Sequence, residues 1–448
     1  MNNSAQSMPY NFTEQEPLAE ILMSLRPKVL DLFCGAGGMS LGFKTAGCEI
    51  VGGVDIEPWP VATHHHNFPN ARIQLPPQDI RDVEPSSLGY RPGDIDIVVG
   101  GPPCQGFSQV GRGKIRSLGQ ERERDVKNKL YREFIRFVAY FQPKVFVIEN
   151  VIGMTTFKHS NFLQNVLTDL EHGLPTAPYP NNIGYTVHYK VLCAKDYGVP
   201  QVRNRLFIVG VRKDLLNFEF RFPEPLSSPA VTLKQAISDL PRLVAPVLKT
   251  RSSTDLGSGG ISQKDRAKNY RVDPQSDYQR RMRLIDGLGV RNHLCRGHNA
   301  KDLEIFALLR QGQIYRDLPA KHRRYRDDIF DDKYRRLRYD FPSWTLTAHM
   351  QKDCLAYIHP TQTRSLSARE AARIQSFPDY FIFQGPLTRV FRMIGNAVPP
   401  LLAEAVGKPI VQELIKLKQS ELSRSAVMVG NSDMRSEESE RLHQLSIL

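Results

Sequence analysis

Short apolar runs recur through the first half of the chain, each giving way to glycine, proline or acidic residues at its carboxyl end. Val29-Leu30-Asp31-Leu32-Phe33, Glu49 to Val54, Asp94 to Val99 and Val145-Phe146-Val147-Ile148 are of strand length and mostly apolar, the signature of strands buried on both faces. Between them, Met39 to Ala46 reads as a helix, and Leu130, Phe134, Phe137, Val138 and Phe141 recur at helical spacing, which gives that second helix one apolar face. Strand and helix in alternation predict an α/β fold on a parallel sheet. Tyr185 to Cys193 and Arg205 to Val211 alternate in polarity and read as a hairpin joined through Asp196-Tyr197-Gly198-Val199-Pro200. A helix is expected over 367–376 and a closing one over 401–417, while 1–26 and 421–448 are polar and read as flexible ends.

Open α/β sheets bind ligands beyond the carboxyl ends of their strands, and there this chain concentrates its chemistry. The first strand runs into Cys34-Gly35-Ala36-Gly37-Gly38, where glycines let a ligand lie against the main chain at a helix N-terminus, although a packing turn would use them equally. The second ends in Asp55-Ile56-Glu57, about 20 residues on, where a carboxylate can bond both hydroxyls of a ribose. Gln78-Asp79-Ile80 offers another carboxylate at what reads as a third strand end, suited to an adenine amino group. After Val99 comes Gly100-Gly101-Pro102-Pro103-Cys104-Gln105-Gly106-Phe107-Ser108. Its two prolines stiffen the turn that carries the Cys104 thiol, either a nucleophile or a small buried hydrophobe. Glu149 follows four apolar strand residues and emerges on the same edge, as a proton donor or as a helix cap. Period-two spacing points Arg203 and Arg205 to one face, toward an anion, a carbonyl or solvent. The basic, glycine-punctuated stretch from Gln109 to about Asp125 suits a mobile lid. His64-His65-His66 reads as part of a solvated helix, and no metal site is expected.

Composition narrows the setting. A chain of 448 residues, 41% hydrophobic, can build two domains. Six cysteines without CxxC spacing exclude a disulfide framework and a zinc knuckle. No apolar run reaches membrane-spanning length and the polar start lacks a secretory pattern, so a cytoplasmic, nucleoid-associated protein is expected. The net charge of +13 favours an anionic partner. Between Lys264 and Asp340, 20 Lys/Arg stand against 12 Asp/Glu and 15 of those cations are arginine, suited to phosphates and guanine edges or to a solvated surface of Asp–Arg pairs.

Six blocks, in this order, give the chain a resemblance to the DNA (cytosine-5) methyltransferases of bacterial type. They are Asp31-Leu32-Phe33-Cys34-Gly35-Ala36-Gly37-Gly38, Gly101 to Ser108, Glu149-Asn150-Val151, Gln201-Val202-Arg203-Asn204-Arg205, Arg369 to Pro378, and Gly395-Asn396-Ala397-Val398-Pro399-Pro400. The resemblance covers 29–210 and 342–415. It implies a Rossmann-like S-adenosylmethionine-dependent methyltransferase sheet in 27–225 and 365–420, with a smaller target-recognition domain in 226–364. It further implies methyl transfer to C5 of a flipped-out cytosine in double-stranded DNA through a Cys104–C6 bond, with Glu149, Arg203 and Arg205 as the other catalytic residues. The methyl donor, S-adenosylmethionine, falls by the same resemblance to Phe33, Gly35, Gly37, Asp55, Ile56, Asp79, Ile80, Pro103, Leu130, Asn396 and Val398. Where some relatives have glutamate and then a bulky aromatic, this chain has Asp55-Ile56, which leaves Glu57 as a competitor for the ribose. The expected enzyme acts on DNA as a monomer, beside a restriction endonuclease or other defence proteins. The alternatives are a tRNA cytosine-5 methyltransferase and a catalytically silent DNA-binding partner. A dinucleotide dehydrogenase would have no use for the Pro-Cys-Gln block.

Overall fold

The computed structural model describes residues 25–103, 130–154, 162–172, 184–248, 266–285, 287–323 and 333–430. Cys104, the expected lid, most of the N-terminal end and the last residues of the tail lie outside the described residues. The strands are β1 (Lys28–Leu32), β2 (Glu49–Val54), β3 (Ile97–Gly100), β4 (Val145–Val151), β5 (Tyr185–Cys193), β6 (Gln201–Val202), β7 (Asn204–Arg212) and β8 (Ser343–Trp344). Six of them form one sheet in the order β2-β1-β3-β4-β7-β5. β1 to β4 run parallel, and the hairpin β5–β7 closes the edge antiparallel to β4.

The continuous apolar runs are explained by burial on both sides. Leu30, Leu32, Val98, Phe146 and Ile148 pack with Phe134, Phe137 and Val138. Their strand neighbours Val29, Ile97, Val99, Val145 and Val147 join the opposite cluster with Phe43, Leu402 and Val406. Successive strand side chains point to opposite faces, so a strand covered twice needs apolar residues at every position. The covering helices are α1 (Gly38–Thr45), α2 (Pro58–Asn67), α3 (Leu130–Phe141) and α4 (Phe162–His172), followed by α5 (Leu233–Ile237), α6 (Asp277–Met282) and α7 (Ala300–Leu308) in the span before β8, and by α8 (Ala368–Ile374), α9 (Leu387–Asn396) and α10 (Pro400–Gly430) after it. Around α7, Ile305, Phe306, Tyr315, Tyr334 and Ile358 make a small core of their own.

Three expectations are revised. Residues near Asp79 form no strand: Ile80–Asp82 is a 3-10 turn capped by the Asp79 carboxylate, which accepts from Arg81 N at 3.0 Å. Pro76 and Pro77 just before it lack the N–H groups a ladder needs. His64 is not solvated: it is 1% exposed, its ring lies 4.6 Å from that of Phe68, and Nε2 is 3.0 Å from Ser40 Oγ. The closing helix runs past Leu417 to Gly430, since neither glycine nor proline interrupts the chain from Ile410 to Val429. Among the described residues no helix is long and apolar enough to cross a membrane.

Candidate active site

Beyond β1 the chain winds through left-handed backbone at Phe33, Gly35 and Gly37, with φ of 59°, 54° and 94°. This conformation costs a non-glycine residue roughly 1–2 kcal/mol, and Phe33 adopts it at the wall of a cavity of about 740 Å3. The glycines divide their roles. Gly35 lines the cavity with open space where a Cβ would stand. A Cβ on Gly37 would lie 2.7 Å from the Phe68 ring, and one on Gly38 would lie 2.2 Å from Val398 O. Gly37 therefore serves packing at the start of α1, and Gly38 lets the loop before α10 close against the turn.

Asp55 emerges from β2 with both oxygens anchored: Oδ2 accepts from Gly35 N and Oδ1 from Glu57 N, each at 2.9 Å. Burial raises its pKa. Each oxygen retains a lone pair for a hydroxyl. Glu57 is engaged elsewhere, 3.1 Å from Arg392 and 3.9 Å from Arg389. Beside Asp55, Ile56 is 58% exposed and faces the same cavity. Asp79 pairs with Arg81 at 2.6 Å, which holds its carboxyl below the usual range. Asp31 also lines the cavity, where burial pushes its pKa up to about 7 against hydrogen bonds from Ser40 N and Oγ at 3.1 and 2.6 Å.

Glu149 belongs to the last turn of pleat in β4, opposite Phe207 of β7, while Arg205 lies opposite Val151. Arg205 and Phe207 share a strand face, so the guanidinium reaches diagonally to Glu149: Nε is 2.7 Å from Oε1, with both side chains largely buried. The next residue, Asn150, donates from Nδ2 to Pro102 O at 3.1 Å and so ties this strand end to the loop that carries Cys104. Glu149 and Pro103 line the cavity.

Of the expected donor contacts, Phe33, Gly35, Asp55, Ile56, Asp79, Ile80, Pro103, Leu130, Asn396 and Val398 are brought to one cavity, and Gly37 stands behind it. Arg203 departs from the period-two expectation because it lies between β6 and β7, where the pleat is interrupted. It is 1% exposed and donates to Leu346 O at 2.7 Å and to Gly395 O and Ala397 O at 3.1 Å. Sequence reasoning missed Asp31, Asn150 and Arg392, although Asp31 and Asn150 stand inside blocks already singled out and Arg389 and Arg392 repeat at helical spacing. In the arginine-rich span, Arg296 and Arg336 are buried on backbone carbonyls, whereas Arg266, Arg291, Lys301, Arg310 and Lys321 are exposed.

Residues 27–412 match the family described as C-5 cytosine-specific DNA methylase. The chain is 35% identical over 403 residues to the Type II methyltransferase M.DdeI of Desulfomicrobium norvegicum, covering 85% of this chain and 88% of that one. It is 34% identical over 460 residues to the Type II methyltransferase M.AgeI of Thalassovita gelatinovora, covering 86% and 99%. A crystal structure described as a DNA modification methyltransferase encoded within a prophage of E. coli superposes with a TM-score of 0.65 at 26% identity, over 87% of this chain and 99% of that one.

Proposed function

Because the chain belongs to the C-5 cytosine-specific DNA methylase family and is a DNA cytosine-5 methyltransferase, we propose that it works through a transient Cys104–C6 bond to a cytosine swung out of the duplex, with S-adenosylmethionine held in the cavity beside Glu149. The largely buried Glu149–Arg205 pair, 2.7 Å apart with Glu149 lining that cavity, is the observation that carries this reading.

Cytosine C5 is a poor nucleophile, and the proposed chemistry makes it a better one. The Cys104 thiolate adds to C6, and as the S–C6 bond forms the displaced electron pair is accommodated by protonation at N3 from the Glu149 carboxyl, leaving C5 enamine-like. Arg205, fixed on Oε1, turns Oε2 toward the base, and its remaining N–H groups suit the cytosine O2. S-adenosylmethionine, when bound, supplies an electrophilic methyl on a sulfonium. Once C5 carries the methyl, its proton leaves to water, the S–C6 bond breaks to return the thiolate, and N3 gives its proton back to Glu149. A base inside a duplex cannot reach either residue, so extrusion is required.

The cavity fits the donor. Its volume suits a nucleoside-sized ligand. Asp55 is suited to the ribose, since Glu57 is held by Arg392. Asp79 suits the adenine amino group, with Ile56, Ile80 and Leu130 as apolar walls for the ring, and the turn at Phe33 and Gly35 together with Asn396 and Val398 suits the methionine end. Arg203 holds the floor of the site through backbone carbonyls. The names of the relatives above, Type II methyltransferases, support a role in restriction–modification, in which methylation would protect DNA from a companion nuclease. The test is radiolabelled methyl transfer to duplex DNA: Cys104→Ser is expected to lose transfer while still binding S-adenosylhomocysteine, and normal turnover by that variant would overturn the assignment.

A further inference from the structure

Between β6, the segment after β8 and the end of α9 lies a buried polar node that the reaction itself does not use. Gln201 of β6 and Gln375, just after α8, are both fully buried, and Gln201 Nε2 donates to Gln375 Oε1 at 2.5 Å. Gln201 Oε1 accepts from Leu346 N at 2.8 Å, and Gln375 Nε2 donates to Ile394 O and Ala397 O at 2.8 and 2.9 Å. Arg203 repeats the same bridge with its guanidinium, from Leu346 O to Gly395 O and Ala397 O. Two side-chain routes thus join the segment after β8 to the carbonyls at the end of α9. The backbones themselves touch there: a Cβ on Gly395 would lie 2.3 Å from Thr347 O. The far side of this loop is the cavity wall, through Asn396 and Val398, with Val398 O against Gly38 of the glycine turn.

We propose that Gln375 and Gln201 are positioning residues that couple the two substrates, so that a nucleoside donor seated against Asn396 and Val398 orders the Leu346–Thr347 segment for DNA, and DNA in turn tightens the donor. This rests on the reading of the cavity as the donor site. Leu346 N and Ile394 O are buried and Ala397 O is partly buried, their partners are side-chain amides and a guanidinium, and a buried group left unpaired costs about 1–3 kcal/mol. The loop and the segment can therefore shift only together. Coupling of this kind is reciprocal, and it typically amounts to a factor of about 5–150.

The test uses the full-length protein and S-adenosylhomocysteine as the probe. Calorimetry first establishes that the probe binds, and hydrogen exchange is then followed in the peptide spanning 343–350 without DNA. Protection of Leu346 on adding the probe is expected. Binding without any change in that peptide overturns the coupling and leaves the cavity assignment intact, whereas absence of binding removes both. In a second arm, the probe should tighten binding of a duplex carrying the methylated site by at least about fivefold. Gln375→Leu should bring that factor below about twofold, while the affinity for the probe alone falls by less. An undiminished factor in the variant, or none in the wild type, contradicts the proposal, and the exchange experiment decides it even if the variant fails to fold.

Discussion

Two buried regions of this molecule are held together by different physics. In the sheet, the side chains between strands and helices are almost all aliphatic or aromatic, with Val98, Val99, Val145, Phe146 and Val147 wholly inaccessible. Around α8, all seven helical residues are buried, and three of them are Arg369, Glu370 and Arg373. Arg373 pairs with Asp239 at 2.5 Å and with Asp379 at 2.6 Å, and Arg364 pairs with Glu370 at 2.6 Å. Ser367 and Glu370 complete a capping box at the helix start. Hydrophobic burial is non-directional and specifies a layer, whereas buried ion pairs offset their desolvation only in one geometry. The sheet builds a platform for chemistry. The α8 hub ties residues 226–364 to it, through Asp239 and Tyr278 on that side and through Gln375, bonded to Gln201, at its carboxyl end.

The largest expected effect follows from breaking the hub. Arg373→Ala leaves Asp239 and Asp379 buried without their shared cation, so a loss of ~3–5 kcal/mol in urea unfolding is expected. A loss under about 1 kcal/mol would mean that these charges are not buried in solution.

Acid should separate the two regions next. Burial lowers the pKa values of His293, His298 and His359 to about 4, against an ordinary value near 6.5. Unfolded chains then bind more protons than the folded protein between pH 6.5 and 4, so the stability from these three groups is complete above that window and is lost as the pH falls through it. Asp31, at the sheet edge, works in the opposite sense: its pKa is raised to about 7, so its contribution is lost as the pH rises toward 7. Together with His64, which burial lowers to about 3, the three histidines outweigh one carboxyl, and the urea midpoint is expected to drop from pH 6.5 to 4.5. Ile208→Val, in the sheet, should cost only ~1 kcal/mol, and by the same amount at both pH values. A flat pH profile would contradict the neutral buried histidines.

The same contrast explains what the sequence disclosed. The strands were legible because burial on both faces leaves an unbroken apolar run, and Glu149 was legible because a carboxylate ends such a run. The hub was not. The sequence marks a helix over 367–376 but not the partners of its charged side chains, since Asp239, which pairs with Arg373, stands 134 residues away. His64 misled for a related reason: Phe68 stands at i+4, but Ser40, which meets its ring on the other side, lies 24 residues away and no local pattern marks it. At the site, the cavity-lining residues followed from strand ends and family blocks, but the direction of Arg203 depended on Leu346, Gly395 and Ala397, and no spacing rule predicts those contacts.

The proposed reaction depends most directly on the bond between Cys104 and the target base. A duplex carrying 5-fluorocytosine at the methylated position blocks the final loss of the C5 substituent, so with S-adenosylmethionine present the enzyme should be trapped as an adduct that survives denaturation and maps by mass spectrometry to Cys104. Turnover on ordinary DNA with no such adduct, or an adduct at another residue, would contradict it.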